Sequence, residues 1–385
     1  MIWRTKASAE SRARALVNPA ADFWLVGGAG IVLFLIFVAL WHQWPQYGDE
    51  FKYNASVLAA YTAFAVNFPH FAYSYLLFYP GYTERLTGTE TSLASRIRLA
   101  VAGLLVPLIM LVYFVHAYHA QDQKFLSWAV MAMIFTVGWH YVKQGYGVLI
   151  TLSLYKSVFY NDWEKRILYI NGYAVWIYTW CRTNSYAGVQ AYYDITYDVS
   201  AYPEWVVTGA LVISWITTAA AAAVLLKHWL YDNKGISLNG ALGYIASIYL
   251  WVMLPYMNDG FYVFIPLFHS LQYFPFVYKF KKSEFMRARH APEGDPKKTQ
   301  RRAVIWVAGF TLAGIALGAL FFDIVPNYID AHPWILGGNP ANLLELDPQF
   351  FIVAFIVFIN VHHFFIDSAF WRRDNAKVQQ YLFRA

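Results

Sequence analysis

Five histidines stand where a histidine is expensive. His70 (NFPHFAYSY), His140 (GWHYVKQGYG), His269 (IPLFHSLQYF) and the adjacent pair His362 and His363 (FINVHHFFID) each interrupt an apolar run. Ionisable groups in such runs are costly and tend to mark function. Each has polar companions at helical spacing: Gln144 after His140, Gln272 after His269, and Asn360 and Asp367 on either side of His363. Positions three and four apart share a helix face, so each run carries a short polar strip. Imidazole is the commonest metal-binding side chain and suits iron, zinc and copper. His70, His140, His269, His362 and His363 are therefore the expected metal ligands. Asp367 is expected as a ligand or orienting carboxylate, and Gln144 and Gln272 as groups that position or tune the site. Mixed imidazole, carboxylate and amide donors on helices favour non-haem iron, as one or two ions, with zinc, copper and haem as alternatives.

Depth ties these positions together. Measured from the outer end of each run, His70 lies ~21 Å deep, His140 ~22 Å, His362 ~20 Å and His269 ~14 Å. Four helices running the same way thus bring imidazoles to one layer near the membrane midplane. Cys181 is the only cysteine, so thiolate ligation is excluded. HExxH and CxxCH are absent, which removes the usual zinc-protease arrangement and covalent haem attachment. Lys143, next to Gln144, either snorkels to the interface or pairs with Asp367 or an anionic headgroup. His42, His116, His119, His332 and the Asp49–Glu50 pair form an outer polar group that reads as solvated. Two adjacent acids there resemble the first outer loop of polyprenyl-phosphate-dependent glycosyltransferases, a minor alternative.

The elements that must position these groups are membrane helices. Hydrophobic residues make up 59% of the 385 residues and charged ones only 14%, with a mean hydropathy of +0.37; a soluble domain carries ~25% charge. Ten apolar segments are read at 22–43, 55–79, 98–119, 125–154, 167–183, 204–228, 239–256, 260–279, 303–325 and 349–371. The expected fold is all-α: a polytopic membrane protein of about ten transmembrane helices forming one domain over 1–385. A basic tail at 1–20 and a loop at 281–302 are cytoplasmic in this reading, and loops at 184–203 and 326–348 lie outside. All but four of the 29 lysines and arginines fall on one side, the exceptions being Lys52, Lys124, Lys143 and Arg182. That is the positive-inside signal of an N-in, C-in chain and not a nucleic-acid surface. The first helix is uncleaved, and a bacterial inner (plasma) membrane is the expected location.

Aromatics crowd His269 along FYVFIPLFHSLQYFPFVYKF, as ordinary packing or as the wall of a pocket for a lipid or other apolar small molecule. Gly145, Gly147, Pro266 and Pro275 would permit close backbone approach or kinks at that level. The motifs around His140, His269 and His362–His363 resemble, as a class, the histidine-motif integral-membrane non-haem iron enzymes, namely desaturases, hydroxylases and alkane or sterol oxidases. They are also loosely similar to the bacterial membrane β-carotene dioxygenases. The boxes HxxxH and HxxHH are missing, and Ile359 stands where a third histidine would be. The resemblance implies an iron-dependent oxidoreductase of lipid metabolism that hydroxylates, desaturates or cleaves an apolar substrate. No flavin or nucleotide motif is present, so a reductase or ferredoxin at the cytoplasmic face is the expected electron donor. The alternatives are a b-type haem electron-transfer or quinone protein, and a proton-coupled transporter using buried His, Lys143 and Asp367.

Overall fold

The computed structural model describes residues 15–383, apart from 254–263, 289–295, 333–349, scattered positions between 45 and 60, and 90, 121, 186–187, 193–194, 200–201 and 233–234. The basic residues Arg4 to Arg14, Asp49, Asp194, Glu345 and Asp347 therefore lie outside the described residues.

Helices dominate: α1 (Pro19–Leu40), α2 (Phe68–Phe78), α3 (Leu93–Ala120), α4 (Gln123–Tyr155), α5 (Asp162–Thr183), α6 (Glu204–Tyr231), α7 (Leu238–Met253), α8 (Phe264–Ala288), α9 (Lys298–Ala331) and α10 (Phe350–Phe370). Within the expected loop at 184–203 there is an antiparallel hairpin of β1 (Gly188–Tyr192) and β2 (Ile195–Val199). Among the described residues six helices, α1, α3, α4, α6, α9 and α10, are long and apolar enough to cross a membrane, as in an integral membrane protein. The remaining four expected spans coincide with α2, α5, α7 and α8. Each falls short for a local reason. α2 has 11 residues and follows a π-helical turn at Ala63–Asn67. α7 is apolar but short. α5 starts on Asp162, Glu164, Lys165 and Arg166, and α8 carries Lys279, Lys281, Lys282 and Arg287 in its second half.

Packing separates two compact units, and α4 and α8 contribute to both. The first comprises Met1–Lys52, Tyr141–Thr179 and Gly209–Tyr278. Its core holds Leu168, Val175, Val224, Tyr244 and Ile248. Helices approach closely here through small residues: a Cβ at Gly145 would stand 2.6 Å from Cβ of Ser247, and one at Gly27 2.6 Å from the carbonyl oxygen of Leu242. Gly147 has open space, so the expected close approach belongs to Gly145 alone. Asn171, fully buried, satisfies its amide among side chains: its oxygen accepts from Tyr244 at 2.7 Å and Tyr249 at 3.0 Å, and its nitrogen donates to Thr218 at 3.1 Å.

The second unit comprises Tyr53–His140, Trp180–Thr208 and Lys279–Ala385. Here α10 is central: 67% of its most apolar stretch is buried, against 28% in α3 and 17% in α9. Leaving the outer helices' apolar faces exposed is what a lipid solvent favours. α2 packs against both α9 and α10. Gly314 and Gly318 on α9 leave room for Tyr73 and Phe68, and Phe68 stacks on Phe322 with ring centroids 4.6 Å apart. This clamping holds a helix of three turns in a fixed register, and that helix carries His70.

Candidate metal centre

His70 sits in the first turn of α2, where Pro69 is tolerated because the first helical N–H needs no partner. His140 lies in α4, and His363 in the most buried part of α10. None of the three is more than 4% exposed. His363 stands between the others: its Nε2 is 2.9 Å from Nε2 of His70 and 3.1 Å from Nε2 of His140. The rings meet edge-on, at interplanar angles of 67° and 70°, so that nitrogens and not ring faces converge. Phe364 stacks on His140 at 4.7 Å, and Phe71 meets His363 at 4.8 Å. These contacts restrict the imidazoles to the orientation that aims three nitrogens at one place.

Such an arrangement is hard to satisfy with protons alone. A neutral imidazole has one N–H and one lone pair, and the Nε2 of His363 faces two other Nε2 atoms at once. A cation bound there would replace those contested protons. Two ligand nitrogens at ~2.1 Å from one ion and at right angles stand about 3.0 Å apart, which is the spacing found. Asp367, one turn further along α10, places Oδ2 3.7 Å from Nε2 of His363. Three buried histidines of the second unit, His70, His140 and His363, lie close together and can hold a metal ion.

Other residues singled out in the sequence take different places. His269, in α8, stacks its ring on Tyr141 with centroids 3.7 Å apart and planes within 8°. Gln144 donates to the carbonyl of His269 at 2.8 Å and lies 3.3 Å from Oε1 of Gln272. Gln272 in turn accepts from Ser247 at 2.8 Å and donates to the carbonyl of Gly243 at 2.9 Å. The two amides therefore brace the backbone that carries His269, and their own polar atoms are occupied in doing so. Asn360 bonds the carbonyl of Ile356 within its own helix. Lys143 is half-buried. His116 and His119 are exposed, as their solvated reading expects, and His332 is half-buried.

His362 stands apart from the three. Consecutive helical residues point ~100° away from one another, so when His363 faces the other imidazoles His362 faces elsewhere. It meets Tyr75 and Tyr79, at 3.0 Å and 3.2 Å from its two ring nitrogens. Sequence reasoning passed over both tyrosines. Their signal was present in FPHFAYSYLLFY, five and nine residues beyond His70, but tyrosine is abundant throughout this chain.

A second polar group also escaped notice. Glu164, at the start of α5, receives Lys227 at 2.7 Å and His228 Nε2 at 3.1 Å, while Nδ1 of His228 faces Asp232. Asn161 and Glu164 form a reciprocal cap, each side chain accepting from the other's backbone N–H at 2.9 and 2.8 Å. No family model, curated protein or solved structure matches this chain.

Proposed function

We propose that this chain is a membrane-embedded, metal-dependent oxidoreductase, a non-haem iron enzyme that acts on a lipid or other apolar substrate. The convergence of Nε2 of His70 and of His140 on Nε2 of His363, each within about 3 Å of it, carries the proposal. Asp367, whose Oδ2 lies 3.7 Å from the same Nε2 of His363, would join these imidazoles as a carboxylate ligand. Nitrogen and carboxylate donors suit iron, and an ion with open coordination positions supplies dioxygen activation. The chain's own part is to fix those nitrogens, through Phe71 and Phe364, and to exclude water. The same convergence speaks against a haem, whose macrocycle would have to separate its two axial nitrogens.

In this proposal the helices form ten spans with both termini in the cytoplasm of a bacterial inner membrane. The lysines and arginines on that side offer a docking surface for a reductase or ferredoxin. The substrate enters from the lipid.

Metal analysis of the detergent-purified protein beside His70→Ala and His140→Ala, with a visible spectrum, tests the reading. Near-stoichiometric iron without a Soret band, lost in both variants, is the expected result. A Soret band would move the chain to a haem protein. Absence of any metal, in protein never exposed to chelator, would favour proton-coupled transport through the same histidines.

A further inference from the structure

α2 is a helix of three turns that follows a π-helical turn, yet it carries His70. Its contacts with Gly314 and Gly318 hold it against α9. A shared ion also requires that it be held against α10, because His363 stands there. The two helices end alike. The last residue of α2 is Phe78 and the last of α10 is Phe370, and both are buried, at 0% and 1% exposure.

Arg85 joins these two ends. Gly81, at φ 67°, turns the chain after α2, and the short helix Tyr82–Thr87 brings Arg85 back to it. A helix leaves its last carbonyls without partners of its own. Nη2 of Arg85 donates to the carbonyl of Phe78 and Nε to that of Gly81 at 3.1 Å, while Lys377 donates to that of Pro80 at 3.1 Å. The guanidinium also lies over the ring of Phe78, 5.6 Å from its centroid, and over that of Phe370, at 5.9 Å. At those distances a cation is attracted to an aromatic face. An arginine just beyond an apolar helix ordinarily extends to water or headgroups. Here Nε and Nη2 are taken by carbonyls and Nη1 is buried, so the guanidinium is turned towards the protein.

We infer that Arg85 is a positioning residue of the metal centre: by fastening the end of α2 to the end of α10, it holds His70 at the spacing from His363 that one ion can bridge. This rests on the metal centre proposed above. Phe78 is eight residues beyond His70 and Phe370 seven beyond His363, or ~12 and ~10.5 Å along their axes. Contact at the histidines alone would leave the two helices free to pivot about one point. A second fixed point, about two turns away, removes that freedom without touching the ion. The planar fork of arginine reaches two carbonyls at once and presents a flat face to the rings, whereas lysine has the charge and neither property.

The experiment titrates cobalt(II), which follows iron(II) in the affinity order of divalent metals and whose visible bands report its ligands, into the metal-free full chain in detergent. The variants are Arg85→Lys and Phe370→Leu, with His228→Ala as one destabilised elsewhere. Wild-type protein should bind cobalt near-stoichiometrically. Arg85→Lys should reach the same stoichiometry with ~10-fold weaker affinity, the low end of what groups that orient a ligand are worth, and with shifted visible bands. Phe370→Leu, which keeps Arg85 on its carbonyls, should act in the same direction to a smaller extent, and it serves if Arg85→Lys folds poorly. His228→Ala should match the wild type in affinity and spectrum. Wild-type affinity and spectrum in folded Arg85→Lys, or in Phe370→Leu where Arg85→Lys does not fold, overturn the positioning role and leave the metal centre standing, however easily the variants unfold. Weakening shared equally by His228→Ala overturns it too, as general destabilisation. Wild-type protein that binds neither cobalt nor iron overturns the metal centre, and this role with it.

Discussion

His363 and His228 are both buried histidines on long apolar helices, yet they are surrounded in opposite ways. The ring of His228 lies between two carboxylates, Glu164 and Asp232, so each ring nitrogen has a carboxylate partner. Lys227 adds a cation against Glu164. Tyr160 covers the ring at 4.6 Å. His363 instead meets two imidazoles, with its carboxylate further off at 3.7 Å. Carboxylates that already have Lys227 and His228 as partners leave little for a further cation to satisfy. A group of converging neutral donors is costly in a dry interior until a cation joins them. Burial of a histidine is thus a poor guide to function, whereas the character of its partners is a good one.

The largest expected difference between the two regions is in metal binding. His363→Ala should abolish metal content, because its nitrogen is the one within 3.1 Å of both neighbours. His228→Ala should leave metal content unchanged while lowering stability by about 1–3 kcal/mol, the cost of taking a buried hydrogen-bond partner from Glu164. Plasma mass spectrometry and unfolding in detergent measure the two effects. Equal metal loss in both variants would erase the distinction.

Acid should separate the regions in order. Burial raises the Glu164 carboxyl, but Lys227, the Asn161 backbone N–H and His228 together outweigh it and hold its pKa at about 2, below the ordinary 4.5. Its contribution to stability is therefore present above 4.5 and is lost only as pH falls through about 2. Metal-bound imidazoles must be unprotonated, so protons compete with the ion directly, and metal should leave before Glu164 loses its partners. Metal content and thermal unfolding followed together from neutral pH down to about 3 check that order. Unfolding that precedes metal release would reverse it.

A smaller effect is expected at Asp367→Asn. Its Oδ2 lies on the Nε2 side of His363, where a carboxylate would share the ion with the imidazoles; removing its charge should weaken metal affinity by ~10–100-fold, with stoichiometry retained at saturating metal. No change would remove Asp367 from the centre.

Much of this was legible along the chain. The His363–Asp367 spacing put both groups on one helix face, and the agreement in depth of His70, His140 and His363 was a one-dimensional fact about three apolar runs. The Asn161–Glu164 cap is a local pattern as well, although it stood at the edge of a span and drew no attention. The same depth argument enrolled His362, because depth is nearly equal for consecutive residues while direction differs by ~100°. Helical spacing enrolled Gln144 and Gln272 as groups that position or tune the site, and they share their bonds with Ser247, Gly243 and the backbone of His269.

Composition and periodicity by themselves determined that this chain is helical, that its long runs suit a membrane, and that its polar groups sit deep within them. Those properties depend on residues near one another in sequence and on transfer from water. Only the tertiary structure decided which polar groups meet: His363 with His70 and His140, His362 with Tyr75 and Tyr79, His228 with Glu164. The physical reason is that a hydrogen bond or a metal–ligand bond is made or lost within an ångström. Helix rotation and register, set by contacts such as Gly318 against Phe68, fix positions on that scale.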